Sequence, residues 1–339
     1  MKNLTSALTL SIVALSVGNA SATERPGVER NVATFLKSLE GTETLDSMTP
    51  TDARAALSGA QAAPEMILPA ANVSEKTIQI NGSDLNLTIV RPAGSKQKTL
   101  PAFMFFHGGG WVLGDFPTHE RYVRDLVAGS GAVAVFVNYS LSPEAKYGVA
   151  IEQAYGATKW VAEHGQEINV DGKRLAVVGN SAGGNIAAAV ALMANEKGMP
   201  ALRSQVLLSP VTDANFDTPS YKEFANGYFL TKDLMVWFWD NYTTDAKERK
   251  QIYASPLQAT TEQLKGLPPT LIQTAEFDVL RDEAEAYARK LDTAGVQVKA
   301  VRYNGMIHDF GLSNSFSHLP AVRSAIAQAS QELKTNLSK

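Results

Sequence analysis

Five residues, Gly179-Asn180-Ser181-Ala182-Gly183, join a short β-branched apolar run to an alanine-rich one, and that junction restricts the fold more than any other stretch. Residues 174–178 read as a buried strand. Residues 186–196, rich in alanine, read as a helix. A serine on so tight a strand-to-helix turn takes a strained backbone, and the residues two positions either side must be small because strand and helix pass close together. Gly179 and Gly183 meet that demand, and Gly184 adds room. The turn lifts the Ser181 hydroxyl above the helix amino terminus, where free N–H groups and the helix dipole favour a developing negative charge. A G-x-S-x-G pattern alone is short enough to arise by chance. Flanked by this strand and this helix, it is a candidate nucleophile elbow.

The surrounding chain supplies a sheet for the elbow. Residues 77–80 and 85–91 alternate around Asn81-Gly82-Ser83 as a hairpin. Strands are then expected over 101–106, 132–138, 174–178, 204–208, 269–275 and 296–303, with helices over 122–128, 149–163 and 186–196 between them. Strands alternating with helices predict an α/β fold, a mostly parallel central sheet with helices on both faces. In such sheets chemistry collects at the carboxyl ends of the strands, where the elbow lies. Ahead of the hairpin, residues 24–70 carry no strand pattern. Val28, Val32, Phe35, Leu36 and Leu39 recur at helical spacing, and Ser47-Met48-Thr49-Pro50-Thr51-Asp52 signals the start of a second helix.

A second motif, His107-Gly108-Gly109-Gly110-Trp111, follows the strand that contains Phe103. Three glycines can turn their N–H groups inward without side chains in the way. Gly108, Gly109 and Gly110, with the N–H of Ala182, are therefore the candidate oxyanion hole. A glycine run can equally cradle phosphate, but no Lys and Ser/Thr follow as a phosphate loop requires. His107 is read as structural, holding this loop. Among the five histidines, His308 alone lies directly after the last expected strand, at the edge of the sheet where the chemistry belongs. The acid is expected from the end of the preceding strand. Asp278 is preferred to Glu276, which still belongs to the strand, and to Asp282, which is placed to cap the next helix. Asp309, adjacent to His308, is disfavoured because neighbours on a tight loop rarely face each other. The order Ser181, Asp278, His308 is then nucleophile, acid, base.

Composition removes several alternatives. The chain has 339 residues, a net charge of −3 and no basic cluster, which argues against nucleic acid as a partner. It has no cysteine, which excludes disulfides, thiol catalysis and thiolate metal sites. Lys2, the apolar stretch 4–17 and the small residues ending Ala20-Ser21-Ala22 follow the order of a secretory signal peptide. Residues 1–22 are expected to be removed, leaving a single domain over 23–339, exported to the periplasm or medium, with no stable membrane span.

Gly179-Asn180-Ser181-Ala182-Gly183-Gly184 together with His107-Gly108-Gly109-Gly110-Trp111 resembles the hormone-sensitive-lipase-like branch of the α/β-hydrolases, the bacterial family IV esterases. Tyr139-Ser140-Leu141-Ser142-Pro143-Glu144, Asp278-Val279-Leu280-Arg281-Asp282-Glu283 and Gly305-Met306-Ile307-His308-Asp309-Phe310 look like further stations of that family, from about residue 28 to the carboxyl terminus. The resemblance implies a carboxylesterase for short to medium acyl esters, needing no metal or organic cofactor. It also implies a helical cap built from about 23–70 and 212–264. Within the second segment, Tyr228-Phe229-Leu230 and 235–242 form an aromatic stripe, part of which is expected to wall the pocket. Trp111 is the single best candidate for a substrate contact. Two positions depart from the family, which usually carries Asp at Asn180 and often Arg at Ser140. The same constellation also serves amide, carbamate, lactone or formyl hydrolysis. A lipase of oil interfaces and a module that binds without catalysis are further alternatives, although the latter usually lacks the nucleophile or base. The oligomeric state stays open, a homodimer included.

Overall fold

The protein is described by a computed structural model over residues 25–62 and 66–339; the expected leader, 1–22, lies outside the described residues. Two helices come first, α1 (Arg30–Ser38) and α2 (Pro50–Ala62). The hairpin of β1 (Ala71–Ile80) and β2 (Ser83–Pro92) follows, then β3 (Leu100–Phe106), α3 (Phe116–Ser130), β4 (Val133–Val137) and α4 (Val149–His164). Next are β5 (Val170–Asn180), α5 (Ala182–Lys197) and β6 (Leu202–Leu208). Three short helices, α6 (Pro219–Glu223), α7 (Lys232–Tyr242) and α8 (Thr261–Leu264), separate β6 from β7 (Thr270–Phe277). The chain closes with α9 (Arg281–Thr293), β8 (Val298–Ile307) and α10 (Pro320–Leu337).

The strands form one eight-stranded sheet in the order β1-β2-β4-β3-β5-β6-β7-β8. Pairings β1·β2 and β2·β4 are antiparallel and all the others parallel. β5 runs between β3 and β6, and its apolar run Leu175–Val178 is wholly buried. The elbow therefore projects from the middle of the sheet, in line with the ends of β3, β7 and β8. The α5 helix is buried on all sides from Ala182 to Ala194, which explains why it reads as apolar without a polar stripe.

Several boundaries differ from those expected, two of them by six residues. The first strand begins at Ala71 rather than Thr77, because it is an edge strand paired along its whole length with β2. Its early residues are mostly exposed, so they carry no apolar alternation to read. The α3 helix begins six residues before Tyr122, at Phe116, on a capping box in which Asp115 accepts from the Thr118 N–H and the Thr118 hydroxyl accepts from the Asp115 N–H.

Candidate active site

Ser181 sits at the elbow with φ 54° and ψ −122°, a left-handed conformation that costs a non-glycine residue on the order of 1–3 kcal/mol. The glycines around it have a measurable reason. A Cβ on Gly179 would lie 2.0 Å from the Gly183 carbonyl oxygen, and one on Gly183 would lie 1.9 Å from that of Phe106. Strand, helix and the neighbouring β3 thus meet at backbone distance. Ser181 N–H donates to Leu208 O at 2.8 Å, tying the turn to β6.

His308 follows β8 directly and reaches back over the elbow. Its Nε2 lies 2.9 Å from Ser181 Oγ and its Nδ1 lies 2.7 Å from Asp278 Oδ2. Asp278 is itself held by the Leu280 N–H, which donates to Oδ1 at 2.9 Å. Burial disfavours charge on the His308 ring, but Asp278 and Asp309 outweigh it and lift the pKa to about 9. The rejected carboxylates have other partners. Glu276 accepts from Gly305 N–H and so supports the end of β8. Asp282 does not cap α9: it lies in the first turn and accepts from the Ser220 N–H, binding α6 to α9. Asp309 has φ 51° and does face its neighbour, with Oδ2 3.7 Å from His308 Nε2, on the Ser181 side of the ring.

The glycine loop divides. Gly109 (φ 103°) and Gly110 (φ 61°) line the cavity together with Ser181. Among the described residues their N–H groups, and that of Ala182, have no intramolecular acceptor. Gly108 does not belong with them. Its N–H is taken by Asn180 Oδ1 at 3.0 Å and approached by His119 Nε2 at 3.3 Å, behind the loop. His107 is buried and stacks on Tyr139 with centroids 4.2 Å apart, while the Tyr139 hydroxyl donates to its carbonyl at 2.8 Å. Burial, only partly offset by the Gly108 carbonyl, lowers its pKa to about 4, so it is a neutral prop.

Trp111 is not a pocket residue. It is wholly buried, stacks on Tyr242 at 4.2 Å and meets Trp239 edge-on at 4.8 Å. The φ of 61° at Trp111 turns the indole away from the cavity and into this aromatic block. His119 also belongs to the surroundings of the glycine loop. Its environment, 0% exposed beside the glycine loop, comes from α3 packing under β3 and has no local sequence signal.

A cavity of about 460 Å³ opens above Ser181 and His308. Phe35, Leu36, Met48 and Leu57 wall it from the amino-terminal segment, and Phe229, Leu230, Leu234 and Phe238 from the segment after β6. Phe238 rests on the glycine loop so closely that a Cβ on Gly110 would be 2.1 Å from its ring. Within the aromatic stripe, Phe229 and Phe238 face the cavity, whereas Trp239 and Tyr242 pack behind it. The last part of the expected cap, α8, packs against α5 and α9 instead.

A strained serine on a central strand, an imidazole and a buried carboxylate in this chain order, on this sheet, define the class as that of the α/β hydrolases. Comparison with known proteins agrees. Residues 103–312 match a family described by the alpha/beta hydrolase fold, and the chain belongs to that family. A thermostable esterase from Pseudomonas putida superposes with a TM-score of 0.91 at 65% identity, over 93% of this chain and 99% of that one. A fungal esterase from Rhizomucor miehei gives 0.87 at 41% identity, over 91% and 97% of the two chains. A carboxylesterase of Mycobacterium tuberculosis is 35% identical over 288 residues, 84% of this chain and 89% of its own. These relatives support the hormone-sensitive-lipase-like branch that the motifs resemble.

Proposed function

We propose that this α/β hydrolase is a carboxylesterase acting on short to medium acyl esters through an acyl-enzyme. The observation that carries the reading is the unbroken relay Ser181 Oγ, His308 Nε2, His308 Nδ1, Asp278 Oδ2, with both steps at hydrogen-bond distance. Neutral His308 takes the proton of Ser181 as its oxygen attacks the ester carbonyl. Gly109, Gly110 and Ala182 donate to the oxyanion. Asp278 keeps the Nδ1–H tautomer and stabilises the imidazolium. The alcohol leaves with the proton from Nε2, and water then cleaves the acyl-enzyme by the same route. The chemistry calls for no metal or organic cofactor.

The cavity supports the substrate class. Its volume of about 460 Å³ lies in the range of small-molecule sites, ~300–1,000 Å³, and its walls are mostly apolar, which suits a compact neutral ester rather than a long-chain triglyceride. The test is labelling by a fluorophosphonate probe and hydrolysis of aryl esters of graded chain length, with Ser181→Ala and His308→Ala beside the wild type. Labelling and rapid short-ester turnover only in the wild type are the expected result. A folded wild type that neither labels nor hydrolyses any ester would overturn the reading.

We further propose that the chain is exported and cleaved behind Ala22, on the strength of the charged, apolar and A-x-A order of residues 1–22. Amino-terminal sequencing of the exported protein should begin at Thr23. A cytoplasmic product retaining Met1 would refute export.

A further inference from the structure

Asn180 stands immediately before Ser181, has 0% exposure, and uses both ends of its amide. Oδ1 accepts from the Gly108 N–H at 3.0 Å, and Nδ2 donates to Asp309 Oδ2 at 2.9 Å. The amide cannot be turned over, because that would set its NH₂ against the Gly108 N–H and its oxygen against the carboxylate. Contact with the glycine loop is so close that a Cβ on Gly108 would lie 2.5 Å from Asn180 Nδ2. Asp309, in turn, holds a left-handed φ of 51° that directs its carboxylate toward Asn180 and the Nε2 side of His308. None of these contacts takes part in the relay itself.

We propose that Asn180 and Asp309 form a positioning pair that clamps the base loop to the glycine loop through one side-chain amide, and so sets His308 and the oxyanion donors relative to Ser181. The inference rests on the esterase reading above. An aspartate in place of Asn180 would accept from Gly108 as well but would face Asp309 with a second carboxylate. The amide is the group that satisfies both neighbours at once. Asp309 also contributes negative charge near His308 Nε2, on the face opposite the contact with Asp278.

The groups around the pair bear on its pH dependence. His119 Nε2 lies 3.5 Å from Asn180 Nδ2, and burial keeps that ring well below its ordinary pKa and neutral. Tyr122, raised by burial and by Asp309, stays a neutral phenol. Arg121 is turned to Asp125 and to the carbonyls of Gly311 and Leu312. Asp278 occupies the other side of His308. Asp309 is thus the charged group against Nε2, and burial raises its own pKa, against the opposing pull of His308 and Asn180.

The test is a double-mutant cycle of Asn180→Asp, Asp309→Asn and the two combined, read by kcat and KM across pH, by thermal unfolding, and by NMR titration of the His308 ring. Asn180→Asp should lower kcat on the order of tenfold to a hundredfold with little change in KM, worst where both carboxylates ionise. Asp309→Asn can turn its amide oxygen to Asn180, keeping the bridge but losing the charge. Its acid limb and the His308 titration should move to lower pH by roughly one pH unit. The combined variant reverses the polarity of the bridge: the carboxylate now before Ser181 accepts both from Gly108 and from the new amide beside His308. It should regain most of the kcat lost by Asn180→Asp. Losses that multiply in the combined variant, or a His308 titration unmoved by Asp309→Asn, would overturn the proposal. Parallel loss of melting temperature and activity with no pH displacement would do the same, since that marks a merely structural contact. An inactive wild type would sink the esterase reading instead, while the ring titration and the melting cycle still decide the pair.

Discussion

Asp278 Oδ2 lies 2.7 Å from Nδ1 of His308, with Asp278 1% and His308 5% exposed. In so dry a setting the carboxylate determines which ring nitrogen carries the proton. Asp278→Asn would present an NH₂ to Nδ1 and force the proton to Nε2, where it blocks acceptance from Ser181. The expected result is a fall in kcat of about 10⁴-fold with KM nearly unchanged and a native circular dichroism spectrum. Steady-state kinetics on a short aryl ester check this.

Two carboxylates near one imidazole also fix the direction of the pH dependence. The base must be neutral to accept a proton, and the pKa of His308 is raised to about 9 from the ordinary 6.5. The acid limb of kcat/KM should therefore lie well into the alkaline range, with activity rising through it and falling away toward neutrality. A plateau extending below pH 6.5 would contradict the raised value.

Gly110 lies beneath Phe238 at φ 61°, so any side chain there meets both strain and the ring. Gly110→Ala should displace the loop and, if Gly110 is the oxyanion donor proposed above, cost on the order of 10²–10³ in kcat. Adding Phe238→Ala relieves the collision but not the backbone strain, so it should restore only part of the rate. Comparing kcat of the single and double variants on one ester separates the two contributions.

Trp111 offers a contrast. Because it is wholly buried against Tyr242 and Trp239, Trp111→Ala should cost about 3–5 kcal/mol of stability. For a chain of this size that corresponds to roughly 4–7 °C in melting temperature. At a temperature where the variant is folded, KM for a short ester should stay within about threefold, since the indole does not line the cavity. A large KM effect without loss of stability would return Trp111 to the pocket.

Much of this arrangement was legible in the chain because it depends on short-range sterics. The close approach that demands Gly179 occurs within five residues, whereas the one at Gly183 is to Phe106 on β3; the alternation of strands and helices orders Ser181, Asp278 and His308 on one edge of the sheet. Glycine-loop N–H directions were not legible. Gly108, Gly109 and Gly110 look alike in sequence, and only the position of Asn180 beside the first of them turns its N–H away. The same holds for Trp111: sequence adjacency to the loop says nothing of which side its φ of 61° presents.

The class of fold, the elbow and the three residues of the relay follow from the chain alone, since each depends on local backbone geometry and chain order. What surrounds them is set by packing. Asn180 meets Asp309 across 129 positions, His119 arrives under the glycine loop from α3, and Phe238 comes down on Gly110 from the segment after β6. Such contacts depend on how distant elements pack, and a side chain's neighbours across a packed interface leave no period or spacing in the chain that forms them.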